Sequence, residues 1–251
     1  MKGDDPEIFK IIITTYEGII RTKAIYSQFR NLFNFDIYKD EFAHFKYDFE
    51  DHLEIIIDLT KHEEDLWKDV HSKRRNEIRK AQNIGVTLGI ISQLSDLKEC
   101  YSILQEVYTR VRLPLPSFNF FISLSNNMKN DDASFIGFTA QHGNKIIGCM
   151  FALGYKNVLY DYYAGAYFKY YNKNPNDFLP WAAMLWGKNK GFTNFYFGGA
   201  GRPGVPYGVR DYKMKYGGEL VNLGRFVKVH KAFYYQLGKI GMRFYRFLRK
   251  R

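Results

Sequence analysis

The sequence predicts an α/β (α+β) protein in which helices flank a mixed sheet that is parallel at its centre. Two apolar segments, 134–141 and 145–153, surround a His-Gly-Asn tripeptide, which is typical of a β-hairpin. A third strand is predicted at 157–164. A helix at 177–189 and a strand at 194–197 follow it. This strand–helix–strand unit has the length that a right-handed parallel crossover needs.

The first third of the chain contains fewer clear signals. Residues 8–24 are predicted as two strands joined by a Glu-Gly turn, and a Phe- and Tyr-rich helical stretch is predicted from there to Phe49. The segment 52–59 (HLEIIIDL) is predicted as a strand because of its β-branched run. From Lys61 the apolar spacing becomes helical, and the acidic first turn suits the positive end of the helix dipole. One helix is therefore predicted to run to Asn83, with the glycine two residues later as its stop.

The predicted crossover helix contains a proline. Its N-terminus is predicted to be capped by Asn176 or Asp177, with Pro180 in the first turn, where no intrahelical N–H is required. The remaining predicted elements are helices at 97–108 and 118–128, a strand near 219–227 and a helix from His230.

Composition limits the classes of function. The 251 residues are 46% apolar, with 22 Phe and 20 Tyr, which indicates a folded protein with aromatic cores. Cys100 and Cys149 are the only cysteines and the histidines are scattered, which argues against a disulfide framework or a zinc site. The chain contains no run of roughly 18 apolar residues, and its acidic N-terminus does not resemble a secretory signal. We therefore expect a cytoplasmic protein.

The formal net charge of +11 favours an anionic partner. Nucleic acid, anionic lipid and phosphorylated small molecules all remain open. The positive charge is concentrated in 68–80 and 239–251, which are both predicted helices.

The segment 192–221 has the features of a ligand-binding loop. A short strand leads into Gly198 and Gly199, where backbone is able to approach a ligand closely. Further on, Lys213 and Lys215 lie between Tyr212 and Tyr216 in the sequence. The competing interpretation is a hairpin corner with solvated lysines.

Two further groups of residues are candidates. Arg74 lies within the apolar stripe of the 61–83 helix and therefore needs a carboxylate, a phosphate or backbone carbonyls; a structural pair with Glu77 is one option. Lys169 belongs to the predicted loop 167–176 at the mouth of the crossover, where a phosphate could bind or where the side chains are simply solvated.

The C-terminal helix is predicted to be amphipathic. Its apolar stripe either covers the core or rests on an anionic membrane surface. The stripe comprises Phe233, Leu237, Ile240, Phe244 and Leu248, and the opposite face carries Gln236, Lys239, Arg243, Arg246 and Lys250.

Two stretches of the sequence resemble one family. Residues 66–86 (LWKDVHSKRRNEIRKAQNIGV) fit a basic helix that ends in K-x-R-x-x-I-R-K-A-x-x-x-G-V. Residues 176–218 contain F-G-G and then Y-K-M-K-Y-G, where the family has F-K-x-x-F-G. Together they resemble the Fem-type (FemAB-like) peptidoglycan-bridge aminoacyltransferases and related GNAT-like N-acyltransferases. The likeness covers roughly 53–227. Tyr196 stands where relatives often carry an acid, and tyrosines replace both phenylalanines.

The resemblance implies a GNAT-like acyltransferase fold with a shortened first lobe. A partial N-terminal lobe would comprise residues 1–60, and a GNAT-like domain with the amphipathic helix would comprise 61–251. The implied reaction transfers an acyl or aminoacyl group from aminoacyl-tRNA or acyl-CoA to an amine of a cell-wall or surface-polysaccharide precursor. No bound cofactor or metal is implied, and peripheral contact with the inner membrane surface is included among the partners.

The resemblance also assigns residue roles. Lys213 would stabilise an oxyanion or bind donor phosphate, and Tyr212 would shape its pocket. Gly198 and Gly199 would approach the acyl group. The wider binding set comprises Lys215, Tyr216, Lys169, and Arg74 or Arg79 for an anionic acceptor.

The implied chemistry suits these residues. A thioester or ester is already activated, so positioning, proton removal and oxyanion stabilisation suffice without a metal or a covalent nucleophile. The glycine-rich pyrophosphate loop of acetyl-CoA enzymes is missing from 167–177, which favours tRNA or a degenerate CoA site. The alternatives are a non-catalytic nucleic-acid-binding protein that uses helix 68–80, and a peripheral membrane protein.

Overall fold

The structure is a computed structural model that describes residues 5–128 and 133–248, except for the side chains of 245–248. Its described helices are α1 (Pro6–Ile20), α2 (Lys39–His44), α3 (Glu63–Asp69), α4 (Ser72–Asn83), α5 (Leu94–Val111), α6 (Phe118–Asn127), α7 (Pro175–Asn189), α8 (Gly208–Met214) and α9 (Ala232–Leu248). Its described strands are β1 (Tyr26–Arg30), β2 (Asp48–Glu50), β3 (Leu53–Asp58), β4 (Val86–Ile90), β5 (Ala133–His142), β6 (Lys145–Tyr155), β7 (Val158–Ala166), β8 (Asn194–Gly199), β9 (Glu219–Asn222) and β10 (Arg225–Val229).

The chain divides into two compact units. The smaller comprises the described residues up to Leu53, Gly201–Val205 and the described residues from Val221 onward. The larger comprises Glu54–Ala200, without the undescribed 129–132, and Pro206–Leu220. This division differs from a boundary after residue 60, because the larger unit begins at Glu54 and the C-terminal helix belongs to the smaller unit. Whether the smaller unit is a shortened GNAT-like lobe stays a prediction.

A mixed seven-stranded sheet has the strand order β4-β5-β6-β7-β8-β3-β9. β4 to β7 are antiparallel neighbours, β7 and β8 are parallel, and β8 is antiparallel to β3. The predicted hairpin is the β5–β6 pair, and α7 is the predicted crossover helix. The predicted fold class, a mixed sheet flanked by helices with parallel strands at its centre, is confirmed.

The crossover helix α7 is buried around most of its circumference. Gly187 allows this close packing, since a Cβ there would lie 2.8 Å from Cδ2 of Leu159 on β7 and 3.4 Å from Cδ1 of Leu59. A second core group lies under α5 and α6 in the larger unit, and it contains both cysteines as free, buried thiols. It comprises Leu97, Cys100, Ile103, Leu104, Phe121, Cys149 and Phe151.

The prediction of two strands over 8–24 is wrong, because these residues form α1. The side chain of Asp5 accepts a hydrogen bond from the backbone N–H of Glu7 at 2.9 Å, and Pro6 occupies the first helical turn. Tertiary contacts also favour the helix over the strand propensity of the Ile/Thr run. Ile13 is buried in an aromatic core, and Glu17 is buried against Tyr47. The predicted helical stretch to Phe49 is also largely wrong, since it contains β1, a 3₁₀ turn at Asp36–Tyr38, α2 and β2.

The single helix predicted over 61–83 is instead two helices, α3 and α4. Val70 adopts an extended conformation between them, and Nδ1 of His71 accepts a hydrogen bond from the N–H of Lys73 to begin α4. Arg75 then donates to the carbonyls of Trp67 and Lys68 at the end of α3. The predicted stop is confirmed, because Gly85 has a φ of +82°.

The predicted caps of the crossover helix are wrong as well. The helix begins at Pro175 behind Asn174, which has a positive φ and makes no side-chain cap. The carboxylate of Asp177 pairs with Arg74 instead. Among the described residues, no helix is long and apolar enough to cross a bilayer, and no cluster of three potential metal-ligating side chains occurs.

Candidate active site

The pairing of the two parallel strands β7 and β8 stops before either strand ends, and the unpaired stretch beyond it is called the gap. The strands pair only from Val158 opposite Asn194 to Tyr160 opposite Tyr196, although β7 continues to Ala166 and β8 to Gly199. β7 also contains a bulge, because Ala152 of β6 faces Asp161 while Phe151 faces Tyr163. Bulges and parted strands leave backbone groups free of ladder partners and are common beside active sites. The parting begins at Asp161.

The end of β8 borders this gap with bare backbone. Gly198 has a φ of +67°, which a side chain would disfavour. A Cβ at this position would also lie 2.9 Å from Oη of Tyr160 and 3.2 Å from the carbonyl oxygen of Asp161. The structure therefore places both glycines, Gly198 and Gly199, beside the gap.

Lys213 reaches the same strand end from α8. Its Nζ donates hydrogen bonds to the carbonyl oxygens of Phe197 and Gly199, which follow the last residue of β8 that pairs with β7. The lysine thus satisfies carbonyls near the gap. An ammonium group has three N–H donors, so within the described residues one donor remains for a ligand beyond these two bonds.

Asp161 is a candidate that sequence reasoning missed. Its partly buried side chain lies at the start of the gap. Burial raises the pKa of Asp161 to about 6, and the positive charge of Lys213 acts in the opposite direction. The sequence does contain an indication of this site, because Asp161 is the single acidic residue of the strand segment LYDYYAGA. Burying a carboxylate in an aromatic strand costs free energy, which is typical of a functional residue.

Tyr212 and Tyr216 hold α8 against the first turn of α7. Pro180 has no N–H, so the carbonyl of Asn176 lacks its usual helical donor. The hydroxyl of Tyr212 donates to this carbonyl at 2.7 Å, and that of Tyr216 donates to the carbonyl of Asp177 at 3.0 Å. Burial raises the pKa of Tyr212 to about 12 and that of Tyr216 well above its usual value. Both hydroxyls are therefore protonated donors at neutral pH.

Arg74 forms part of the wall behind these tyrosines. It pairs with Asp177, and the two side chains are each 13% exposed. Its guanidinium also lies 4.9 Å from the ring centroid of Tyr212. The prediction that Arg74 forms a structural ion pair is confirmed, but its partner is Asp177 and not Glu77.

The structure does not bring the other predicted residues into contact with Lys213. Arg79 stacks over Trp67 at 5.2 Å and lines a groove of about 580 Å³. Lys215 ends α8, and its backbone carbonyl accepts a hydrogen bond from His71.

Lys169 lies in a different groove, of about 990 Å³, between α5, the β5–β6 turn and the 3₁₀ turn Phe168–Lys173. Its Nζ is 5.3 Å from the ring of Tyr167 and 5.1 Å from that of Tyr170. The groove also contains the acidic residues Asp96, Glu99 and Glu106. It is therefore not a uniformly basic phosphate site.

The comparison with protein families assigns the fold. A model described as the acetyltransferase (GNAT) domain matches residues 69–214, more than half of the chain. The chain belongs to the GNAT acetyltransferase domain family. It is an acyltransferase, and the GNAT fold implies an acyl donor and an amine acceptor. No curated protein matches it.

Solved structures of GNAT-like proteins are similar to this GNAT protein over most of its length. A crystal structure of FemX has a TM-score of 0.73 at 13% identity and covers 93% of this chain and 79% of its own. The C-terminal domain of a putative lysylphosphatidylglycerol synthetase from Agrobacterium fabrum has a TM-score of 0.65 at 14% identity, with coverages of 90% and 74%. L-PGS from Bacillus licheniformis has a TM-score of 0.63 at 17% identity, with the same coverages. At these identities the likeness shows a shared fold, and the predicted resemblance is confirmed.

Proposed function

We propose that this GNAT protein transfers an activated acyl or aminoacyl group to an amine in the gap between β7 and β8. Asp161 acts as general base and Lys213 stabilises the oxyanion. The observation that carries the proposal is the position of both groups at the start of the gap. A Cβ on Gly198 would lie only 3.2 Å from the carbonyl oxygen of Asp161, while Nζ of Lys213 donates to the carbonyls of Phe197 and Gly199 on either side of Gly198.

The reaction follows from these positions. The amine nitrogen attacks the acyl carbon and forms the new C–N bond, while the carbonyl electron pair moves to the oxygen. The remaining N–H of Lys213 donates to this oxyanion, and Asp161 takes the proton that the attacking nitrogen releases. When the intermediate collapses, the bond to the leaving sulfur or oxygen breaks, and that atom takes up a proton.

The ionisation of Asp161 sets the expected pH dependence. With a pKa of about 6, its carboxylate is largely ionised at neutral pH and is able to accept a proton. Activity should therefore rise with pH up to about 6 and then level off. Replacing Lys213 removes a charge that lowers the pKa of Asp161, so the rise should move to higher pH in such a variant.

The donor we propose is aminoacyl-tRNA or acyl-CoA, and the acceptor is an amine of a cell-wall or surface-polysaccharide precursor. A net charge of +11 supports a polyanionic donor, and 167–177 lacks a glycine-rich pyrophosphate loop. The similar fold of FemX adds weak support. One similar structure is named as the C-terminal domain of a putative lysylphosphatidylglycerol synthetase, so phosphatidylglycerol belongs in the same acceptor screen.

The test is acyl transfer by Lys213→Ala, measured with each donor and with Lys190→Ala as an exposed-lysine control in the same unit. Loss of an oxyanion donor should lower kcat by about a hundredfold or more. Asp161→Asn should abolish the rise of activity toward pH 6. A folded Lys213→Ala protein with full activity would sink the proposal.

A non-catalytic nucleic-acid-binding protein is the second candidate function, supported by the basic helix α4. Arg75 is engaged with the carbonyls of α3. Lys80 is exposed, but its Nζ lies 3.5 Å from Oε1 of Glu77, so Lys73 and Lys80 are tested together as the informative positions. That function predicts weaker nucleic-acid binding when these lysines are neutralised, no effect of Lys213→Ala on binding, and no acyl transfer with any donor.

A further inference from the structure

The C-terminal helix α9 exposes an apolar stripe that the described chain does not cover. The side chains of Phe233, Leu237, Ile240 and Phe244 are between 49% and 71% exposed. Of the two interpretations of this stripe, the one in which it covers the core is therefore wrong for the described side chains. Leu248 and Arg246 have undescribed side chains, and Lys250 lies outside the described residues.

The attachment of α9 explains this exposure. The backbone N–H groups of His230 and Lys231 donate to the carbonyl of Ile25, and the ring of Tyr235 packs on that of Tyr26 at 5.4 Å. An α-helix turns by about 100° per residue, so Tyr235 lies roughly opposite the stripe. The helix is held by one face and presents the other outward.

The basic residues of the C-terminal segment 230–251 favour an anionic surface as the partner of the stripe. From His230 to Arg251 the sequence contains seven Lys and Arg residues and no Asp or Glu. Lys239 and Arg243 are exposed on the polar face, roughly 130° and 90° around the helix from the stripe, and Nζ of Lys239 lies 4.8 Å from the ring centroid of Tyr235. Their long side chains are able to extend toward headgroups while the stripe enters the acyl region. Among the described residues, a Cβ at Gly238 or Gly241 would contact nothing within 4 Å, so these positions leave space beside the helix.

A second exposed apolar helix face in the same unit provides a contrast. Ile11 and Ile12 of α1 are 66% and 48% exposed, but α1 carries Glu7 and Glu17 with only one lysine, Lys10. Its charge therefore does not favour an anionic surface.

We propose that α9 docks this protein on an anionic lipid bilayer by inserting its apolar stripe between headgroups that Lys239 and Arg243 contact. The docking does not depend on the proposed acyl transfer. It would bring the enzyme to acceptors held at a membrane surface.

The experiment is flotation of the full chain with vesicles of phosphatidylglycerol and phosphatidylcholine in roughly equal parts, compared with phosphatidylcholine alone. Leu237→Gln with Ile240→Gln changes side chains that are 49% and 61% exposed, and Ile12→Gln with Ile11→Gln is the matched control on α1 at 48% and 66%. The first pair should lower binding to anionic vesicles by about tenfold, and the control pair should not.

Charge is tested separately. Lys239→Gln with Arg243→Gln should weaken binding to anionic vesicles by about tenfold and leave the weak binding to phosphatidylcholine unchanged, while Lys10→Gln with Lys23→Gln should have no such effect. Equal binding to both vesicle types, or equal loss in either control, would overturn the proposal. Another result would also overturn the proposal. If the protein binds no vesicles but sediments as a dimer, and Leu237→Gln with Ile240→Gln dissociates that dimer, then the stripe joins two copies of the chain.

Failure of the proposed acyl transfer is distinguishable from these outcomes. With a water-soluble amine acceptor, Leu237→Gln with Ile240→Gln should retain acyl transfer. An absence of acyl transfer in every variant would instead refute the enzymatic proposal and leave the vesicle result standing.

Discussion

At the scale of single residues, the carboxylate of Asp161 links the chemistry of the site to the stability of the protein. Burial raises its pKa from 3.8 to about 6, which means that the folded state holds the protonated form more tightly than the unfolded state. The stabilisation that this proton provides is complete below about pH 4 and is lost as pH rises through 6. At neutral pH the ionised carboxylate therefore destabilises the fold.

Asp161→Asn should consequently be more stable than the parent at neutral pH while losing acyl transfer. We expect a gain of about 1 to 2 kcal/mol in the free energy of unfolding, reduced from the full value of the pKa shift because the side chain is partly exposed. Denaturant unfolding at several pH values measures it. The gain should disappear as pH falls toward 4, and a constant gain at all pH values would contradict the assigned pKa.

The hydroxyl of Tyr212 takes the place of a backbone N–H that Pro180 lacks. The Fem-type pattern F-K-x-x-F-G has phenylalanine at this position. Here a tyrosine hydroxyl donates to the Asn176 carbonyl, which has no helical donor because residue 180 is proline. The motif located Lys213 and Tyr212, but a tyrosine in a motif does not reveal whether its hydroxyl bonds substrate or backbone. That distinction required the position of the helix α7.

Tyr212→Phe should destabilise the protein by about 1 kcal/mol through loss of this hydrogen bond. In a Pro180→Ala background, the new N–H at position 180 is able to bond the Asn176 carbonyl, so the same substitution should cost less. Chemical denaturation of the four proteins of this double-mutant cycle measures the coupling. Identical costs in both backgrounds would show that Pro180 is not the reason for the tyrosine.

At the scale of elements, an ion pair joins α4 to α7. The spacing of apolar residues correctly predicts that Arg74 lies on the apolar face of its helix. The partner that it suggests is Glu77, three residues further along the same helix. The actual partner, Asp177, is distant in sequence and becomes a neighbour only through the packing of two helices. Local periodicity contains no such information.

Arg74→Met should destabilise the protein by about 2 to 3 kcal/mol, because it leaves the Asp177 carboxylate largely buried without its cation. The double variant Arg74→Met with Asp177→Asn should recover much of this loss. Thermal and denaturant unfolding measure both. If the double variant is less stable than Arg74→Met alone, the pair does not act as a unit.

The elements that were predicted well are those with local signals. The β5–β6 hairpin has a turn with a glycine, and the crossover helix α7 lies between two short apolar strands. α1 was missed because its Ile/Thr run has strand propensity, while the features that make it helical are the Asp5 cap and a buried contact between Glu17 and Tyr47. The latter joins residues distant in the chain.

At the scale of the whole molecule, the net charge of +11 should govern encounters with polyanions. If the donor is aminoacyl-tRNA, its affinity should fall about a hundredfold or more between about 50 and 200 mM salt, because binding releases counterions. Titrations with tRNA and with CoA at several salt concentrations measure this. A shallow salt dependence together with a thermal shift by CoA alone would identify CoA as the donor.

The destabilising carboxylate at the gap has a consequence for selection experiments. A library of this protein screened only for heat resistance at neutral pH should repeatedly discard Asp161, because neutral residues at this position relieve the cost of burying a charge. A screen that also demands acyl transfer should retain the acid. The difference in the frequency of Asp161 between the survivors of the two screens would therefore measure how strongly acyl transfer retains this acid at the expense of stability.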